Sequence, residues 1–328
     1  MSSSMLPLEL MDAVCDNLAP ADLARLSYTC SSAHQTAQRQ LYRHVSISES
    51  RRNLSVVLTM AQKPHIAHYV RSFSIELDSH FTLLRRFYLQ LSRALSGMAE
   101  LTSLRLFVDP AASWVLRGIS LPRLIYFACP FSLDMYVSDF LQHTSALLEL
   151  EVDSAPFRHE QPTLVLPLSS VSHLQHFVGS SNAAEAIIPS RPVQSVQLTA
   201  GDFTEEVASR LAKSTAGIVI LSATTSSAPA ALLQLLSQKM QCLVHVRLLT
   251  TYSFPEAPDV AFYEHIAGAL NAFPDLQTFE LSGMHWGSEE RKDSDRQRVW
   301  QSQPLKPEYN SGPEYLDIDP YSDLFFAY

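Results

Sequence analysis

A formal net charge of -9 over 328 residues speaks against a general phosphate-backbone binder, which needs a basic patch to displace counterions. With 46% hydrophobic and 17% charged residues the chain suits a globular protein of about two domains, able to bury a substantial core. No basic-then-apolar leader opens the chain and no apolar run approaches a membrane span, so cytoplasm, nucleus or both are expected, with no membrane partner.

The first forty-five residues read as three short helices. The first begins at Pro7, whose fixed φ and missing N–H suit a first turn, and Leu10, Val14 and Leu18 recur on one stripe. The second runs from about Asp22, an N-cap candidate after Pro20, with Leu23, Leu26 and Cys30 in register. The third starts near Ser31 or Ser32 and carries Ala33, Ala37 and Leu41, before Val45 and Ile47 change the period to two. A core this small needs a partner or a neighbouring domain.

The ordered set Leu6-Pro7-x-Glu9-Leu10, Val14, Leu18, Asp22-Leu23, Arg25-Leu26-Ser27, Thr29-Cys30 and Leu41-Tyr42-Arg43-His44-Val45 closely resembles the F-box. The resemblance implies a unit that holds a Skp-family adaptor and so joins a cullin-RING (SCF) ubiquitin ligase. It also implies that Leu6, Pro7, Leu10, Val14, Leu23 and Leu26 contact the adaptor or support that face. One position departs from the pattern, since Ala33 stands where many members place a tryptophan. The alternative is an N-terminal helical cap whose leucines are simply core.

From Val70 onward an apolar triplet spaced LxxLxL repeats. Copies are Val70/Phe73/Ile75, Leu101/Leu104/Leu106, Leu121/Leu124/Tyr126, Leu147/Leu150/Val152, Val193/Val196/Leu198, Leu243/Val246/Leu248 and Leu276/Phe279/Leu281, with weaker ones at Leu174/Phe177 and Ile218/Leu221. Their middle residues lie 19 to 33 apart, a mean of about 26, within the roughly 20 to 29 residues of a leucine-rich repeat. Alternation within each triplet predicts a short strand. Helix-like segments fall between: 81–95, 202–213 with Asp202 as N-cap and Glu205 three residues on, 229–240 from Pro229, and 259–272. Alternating strands and helices are what parallel stacking requires.

The chain therefore resembles F-box proteins with irregular, fungal-type leucine-rich repeats. The predicted fold is α/β: an F-box over 1–48, a solenoid with a parallel curved sheet over 49–284, and a charged, aromatic tail over 285–328. A regular repeat places Asn or Cys three residues after its last leucine. Only Cys129 fits that slot, which elsewhere holds Asp78, Asp109, Ala155, Gly201, Thr251 and Met284. Irregular turns are expected, and an ordinary doubly wound α/β domain is the alternative. Nine strands at about 4.8 Å would give a sheet on the order of 40 Å long, with an open face for binding. Glu76, Arg105, Arg123, Glu149, Glu151, Asp153, Gln197, His245, Arg247 and Glu280 would line it as the candidate surface for a target protein.

Chemistry is sparse. Nine glycines form neither GxGxxG nor a Walker loop, GxSxG and HExxH are absent, and the histidine pairs His65/His68 and His173/His176 lack neighbouring ligands. Four cysteines at 15, 30, 129 and 242 make no CxxC pair, and three sit in apolar contexts that favour buried free thiols. Neither catalysis, metal nor cofactor is expected. The tail mixes prolines with Trp300, Tyr309, Tyr315, Tyr321, Phe325, Phe326 and Tyr328, which suits a cap on the last repeat or a partner-binding peptide. The resulting expectation is a non-catalytic substrate receptor. A repeat scaffold outside any ligase, or an enzyme with a dispersed site, stays open.

Overall fold

The computed structural model describes residues 7–48, 50–51, 53–77, 83–153, 166–253, 260–290 and 298–304. It opens with helices α1 (Leu8–Asp16), α2 (Pro20–Leu26) and α3 (Ser31–Leu41). Pro7 is the N-cap of α1 and Pro20 the first residue of α2, positions where a missing N–H leaves no intrahelical bond unmade. Asp22, expected to cap α2, instead lies in its first turn, near the positive helix end and 3.3 Å from Arg25.

Cys15, Leu23 and Ala37 form a small core of their own, with Met11, Leu18, Leu26 and Leu41 packed against it. The expected stripe of Leu10, Val14 and Leu18 is thereby split. α1 is apolar on two sides and only one can pack against α3, so Met11 and Cys15 turn inward while Leu10 and Val14 face out. Ion pairs Asp12–Arg39 and Asp16–Arg43 (3.9 Å) tie α1 to α3 and to its exit.

The chain then enters β1 (His44–Ser48), first strand of a 12-stranded sheet whose order follows the chain. The others are β2 (Ser72–Glu76), β3 (Ser103–Phe107), β4 (Tyr126–Ala128), β5 (Glu149–Val152), β6 (His176–Ser180), β7 (Ser195–Ala200), β8 (Ile220–Thr225), β9 (His245–Thr250), β10 (Thr278–Leu281), β11 (Met284–Glu290) and β12 (Arg298–Pro304). The first ten run parallel. Helices α4 (Ser55–Gln62), α5 (Pro64–Ala67) and α6 (Arg85–Ser96), a 3₁₀ segment (Pro110–Leu116), and α7 (Met135–Gln142) lie between the earlier strands; α8 (Ser181–Ile187), α9 (Glu205–Leu211), α10 (Pro229–Lys239) and α11 (Val260–Leu270) lie between the later ones. The inward strand residues and the helices share one continuous core, which makes the molecule a solenoid of βα turns whose other face carries no helix among the described residues.

A single backbone device sets every turn. The carbonyl of Arg43 accepts from Arg71 and Ser72, that of Arg71 from Thr102 and Ser103, and that of Thr102 from Ile125 and Tyr126. The staircase continues through the carbonyls of Ile125, Leu148, Gln175, Gln194, Val219 and Val244, each receiving two successive N–H groups of the next turn at 2.8–3.2 Å. Above each step the same register aligns Val45, Phe73, Leu104, Phe127, Leu150, Phe177, Val196, Leu221, Val246 and Phe279 on the buried side.

This register corrects four expectations. The third triplet is Leu124/Phe127/Cys129 rather than Leu121/Leu124/Tyr126, so Cys129 is a fully buried strand-side residue and not an Asn-type slot. The boundary after residue 48 cuts off a strand that belongs to the sheet, giving ten parallel strands instead of nine. The boundary at 284 also moves, because β11 and β12 continue the sheet as an antiparallel hairpin and bury Trp286 and Trp300 beside the last turn. Finally, α9 is capped by Thr204, while Asp202 reaches across to the Ser226 backbone N–H at 2.7 Å. The rest of the tail, with Tyr309, Tyr315, Tyr321, Phe325, Phe326 and Tyr328, lies outside the described residues.

In place of an asparagine ladder, side chains bridge neighbouring turns at the C-terminal ends of the strands. Ser113 donates to Asp134, Ser180 to Asp153 and Ser226 to Asp202, and the Thr225 and Thr251 hydroxyls donate to the Phe203 and Thr225 carbonyls. Arg191 performs the equivalent task inside the irregular sixth turn. Its buried guanidinium donates to the carbonyls of Ser170 (2.9 Å), Pro167 (2.8 Å) and Ile187, holding a turn in which Val171 adopts φ 47°. Gly179 is required where β6 shifts register, since a Cβ there would lie 2.1 Å from the Val152 carbonyl oxygen.

Two stability outcomes follow from these contacts. Gly179→Ala lowers the urea-unfolding free energy by about 1–3 kcal/mol, whereas Gly268→Ala, in a helix with open space around it, leaves stability unchanged or raises it by up to about 1 kcal/mol. Arg191→Met costs about 2–4 kcal/mol in the same measurement, because three carbonyls lose a charged donor.

Candidate functional site

Two surfaces carry the residues that sequence singled out. Among the described residues no group of three or more His, Cys, Asp or Glu could hold a metal ion, and no helix is long and apolar enough to cross a membrane. Cys15 and Cys129 are buried, but Cys30 and Cys242 are exposed, fewer buried thiols than their sequence contexts suggested. Burial pushes the Cys129 thiol far up from its ordinary value, which keeps it protonated and inert.

The first surface is the outer side of α1. Pro7 is exposed, and Leu10 and Val14, one helical turn apart, are 53% and 49% exposed. Leu23 is buried and Leu26 half-buried, and both pack behind that helix in the small helical core. Leu6 lies outside the described residues. Ala33, where the F-box pattern favours a large aromatic, is buried at the start of α3.

The second surface is the helix-free side of the sheet. Its central column, read strand by strand, is Ser46, Ser74, Arg105, Ala128, Glu151, Val178, Gln197, Ser222, Arg247 and Glu280. The neighbouring column adds Glu149 and His245, and Glu76 stands at a strand end. Asp153, at φ 55°, lies just past β5 and accepts from the Ser180 hydroxyl, and of the other nine expected residues eight share this side. Arg123 does not: the shifted third triplet places it before β4, where it and Arg71 both donate to the Glu100 carboxylate.

Three zones divide the face. Serines 46, 48, 72, 74 and 103 pave the first turns. In the middle Arg105 lies 5.5 Å from the Phe107 ring centroid, beside Tyr126, with Glu149, Glu151 and Asp153 on the next turn. Burial raises the Tyr126 phenol above its ordinary value; the Arg105 guanidinium acts against that rise and the Glu151 and Glu149 carboxylates add to it. Its hydroxyl stays a protonated donor at neutral pH. Towards the end, Arg247 pairs with Glu280 at 3.2 Å and His245 Nδ1 lies 2.7 Å from the Thr278 hydroxyl.

Tyr126 faces outward, although the triplet Leu121/Leu124/Tyr126 would turn it inward, and Phe107, Val178, Ile220 and Leu249 add apolar content to the open side. A register anchored on Phe127 would have exposed Tyr126 at once, because successive strand residues alternate faces.

The Glu100 network has a pH signature. A hydrogen bond from Arg71 holds its carboxyl below the ordinary value, with the Arg123 and Arg71 charges adding to the effect. A depressed carboxylate stabilises above its unfolded pKa, and that contribution is lost as pH falls through the folded value. Glu100→Gln should therefore be less stable than wild type at neutral pH, and the gap should close in urea titrations carried below the ordinary carboxylate range.

No protein-family model matches the chain, and no curated protein matches it. Among solved structures, a chain of the yeast Rad7 and Elc1 complex is similar at a TM-score of 0.32 and 12% sequence identity, over 84% of this chain and 88% of that one.

Proposed function

We propose that the chain is a non-catalytic substrate receptor, the target-holding subunit of an SCF-type cullin-RING ubiquitin ligase. The observation that carries this reading is the split of α1. A helix of nine residues spends one apolar side on its own small core and leaves Leu10 and Val14 exposed beside Pro7, positions where the F-box pattern places adaptor contacts. A unit with so small a core gains from a partner that covers the second side. Leucine-rich-repeat character is supported by the βα turns and their aligned triplets, and the helix-free face is the natural place for a target protein.

In this reading the three-helix unit docks a Skp-family adaptor and, through it, the cullin core. The solenoid holds the target, and other subunits transfer ubiquitin. Tethering the target near the transfer enzyme replaces a bimolecular encounter by a nearly intramolecular one, so no residue of this chain acts as a nucleophile. The cytoplasm or nucleus is the setting that fits.

Affinity purification of wild type should recover a Skp-family adaptor and a cullin. Leu10→Glu/Val14→Glu should lose both while keeping the wild-type unfolding midpoint, since both side chains are already exposed. Reversing Glu149, Glu151 and Arg247 together should leave the adaptor bound and change the set of target proteins captured. Absence of the adaptor from wild-type complexes would sink the ligase reading and leave a repeat scaffold in its place.

A further inference from the structure

The layer of helices carries a charge pattern that the open face does not explain. Residues 53–67 and 83–96 contain no Asp or Glu, yet hold Lys63, Arg85, Arg86 and Arg93, and Arg117 follows the 3₁₀ segment. In a chain of net charge -9 this is a local reversal of sign. Helices α4 and α6 pack together, and α6 packs on the 3₁₀ segment, so these cations belong to one stretch of the helix layer. All five are exposed, and none forms a salt bridge among the described residues.

Apolar groups stand among them. On α6 the outward stripe reads Arg86, Leu89, Arg93, while Tyr88, Leu91, Ala94 and Leu95 fill the core behind it. Leu89 is 52% exposed, Leu58 on α4 42%, and Leu84 at the start of α6 81%. Next to that start is a cleft of about 210 Å³ lined by Leu83, Arg85, Tyr88, Asp109, Ala112 and Trp114. Arg85 lies 5.8 Å over the Trp114 ring, and the Asp109 carboxylate is engaged in capping the 3₁₀ segment through the Ala111 N–H. A space of this size falls below the roughly 300–1,000 Å³ of cofactor pockets and suits a single side chain.

We infer that this region is a second docking surface, and that its partner is an acidic peptide segment carrying one bulky apolar side chain. The cations supply charge complementarity and the aromatic cleft takes the anchor. A bilayer is a poorer match, since interfacial binding needs a continuous apolar helix face and α6 has already buried its own in the solenoid. The site lies on the side of the sheet opposite the open face, and it stands whether or not the three-helix unit binds an adaptor.

The test uses the full chain and a short fluorescein-labelled peptide of alternating Asp and Glu around a central Phe, read by fluorescence anisotropy. Wild type should bind it, less tightly as salt rises, and should bind a Phe→Ala version of the peptide more weakly. Arg86→Glu/Arg93→Glu should weaken binding by at least about tenfold at an unchanged unfolding midpoint, whereas Arg210→Glu/Lys239→Glu, on α9 and α10, should not. Ala111→Trp, which obstructs the cleft from an exposed position, should abolish the preference for Phe. Equal losses in the two charge-reversal variants, indifference to the Phe, or no binding by wild type would each overturn the inference. So would retention of wild type on phosphatidylserine vesicles that the peptide cannot displace.

Discussion

One backbone contact sets the architecture: at each turn a single carbonyl receives two consecutive N–H groups from the turn that follows. The contact fixes where a strand begins and leaves free how long the chain wanders before returning. Successive acceptors, from Arg43 to Arg71, Thr102 and onward to Val244, can therefore be separated by a short turn between Gln175 and Gln194 or a longer one between Arg71 and Thr102 without disturbing the sheet. Each bond is worth only about 0.5–1.5 kcal/mol net, so the staircase specifies register while the continuous apolar core beneath supplies most of the stabilisation.

The same contact joins the N-terminal helices to the sheet. Arg43, two residues beyond α3, is the first acceptor of the series and is also ion-paired to Asp16 of α1. Leu41 packs into the small helical core, whereas the adjacent Tyr42 packs against the solenoid. Two cores thus meet across neighbouring residues without a linker, and the exposed side of α1 has a defined orientation relative to the open face of the sheet.

Much of this was legible in the sequence where apolar spacing and secondary structure agree. Phe73, Leu104, Leu150, Phe177, Val196, Leu221, Val246 and Phe279 emerge as the centres of their triplets from alternation alone, the weaker copies at Phe177 and Leu221 included. The third copy failed because Leu121, Leu124 and Phe127 follow one another at three-residue intervals and all are buried, so the pattern fits two registers and only hydrogen bonding separates them. Helix α1 failed for a related reason, being apolar on two sides. The Asp–Ser bridges lay beyond reading, since Asp134 finds Ser113 and Asp202 finds Ser226 only after the turns have stacked. Nor does sequence spacing alone join Arg85 and Arg86 to Lys63, which share one stretch of the helix layer only because α4 packs on α6.

Unequal turns have a consequence for recognition. In a regular array of identical repeats, a ligand shifted along the axis by one unit meets nearly the same surface, and several alignments compete. Here the central column passes from serines through Arg105 and Ala128 to Glu151, Val178 and Gln197, then Arg247 and Glu280, with no two neighbouring turns alike beyond the first pair. Translational degeneracy is removed, and a chain laid along this face would have one frame in which to sit.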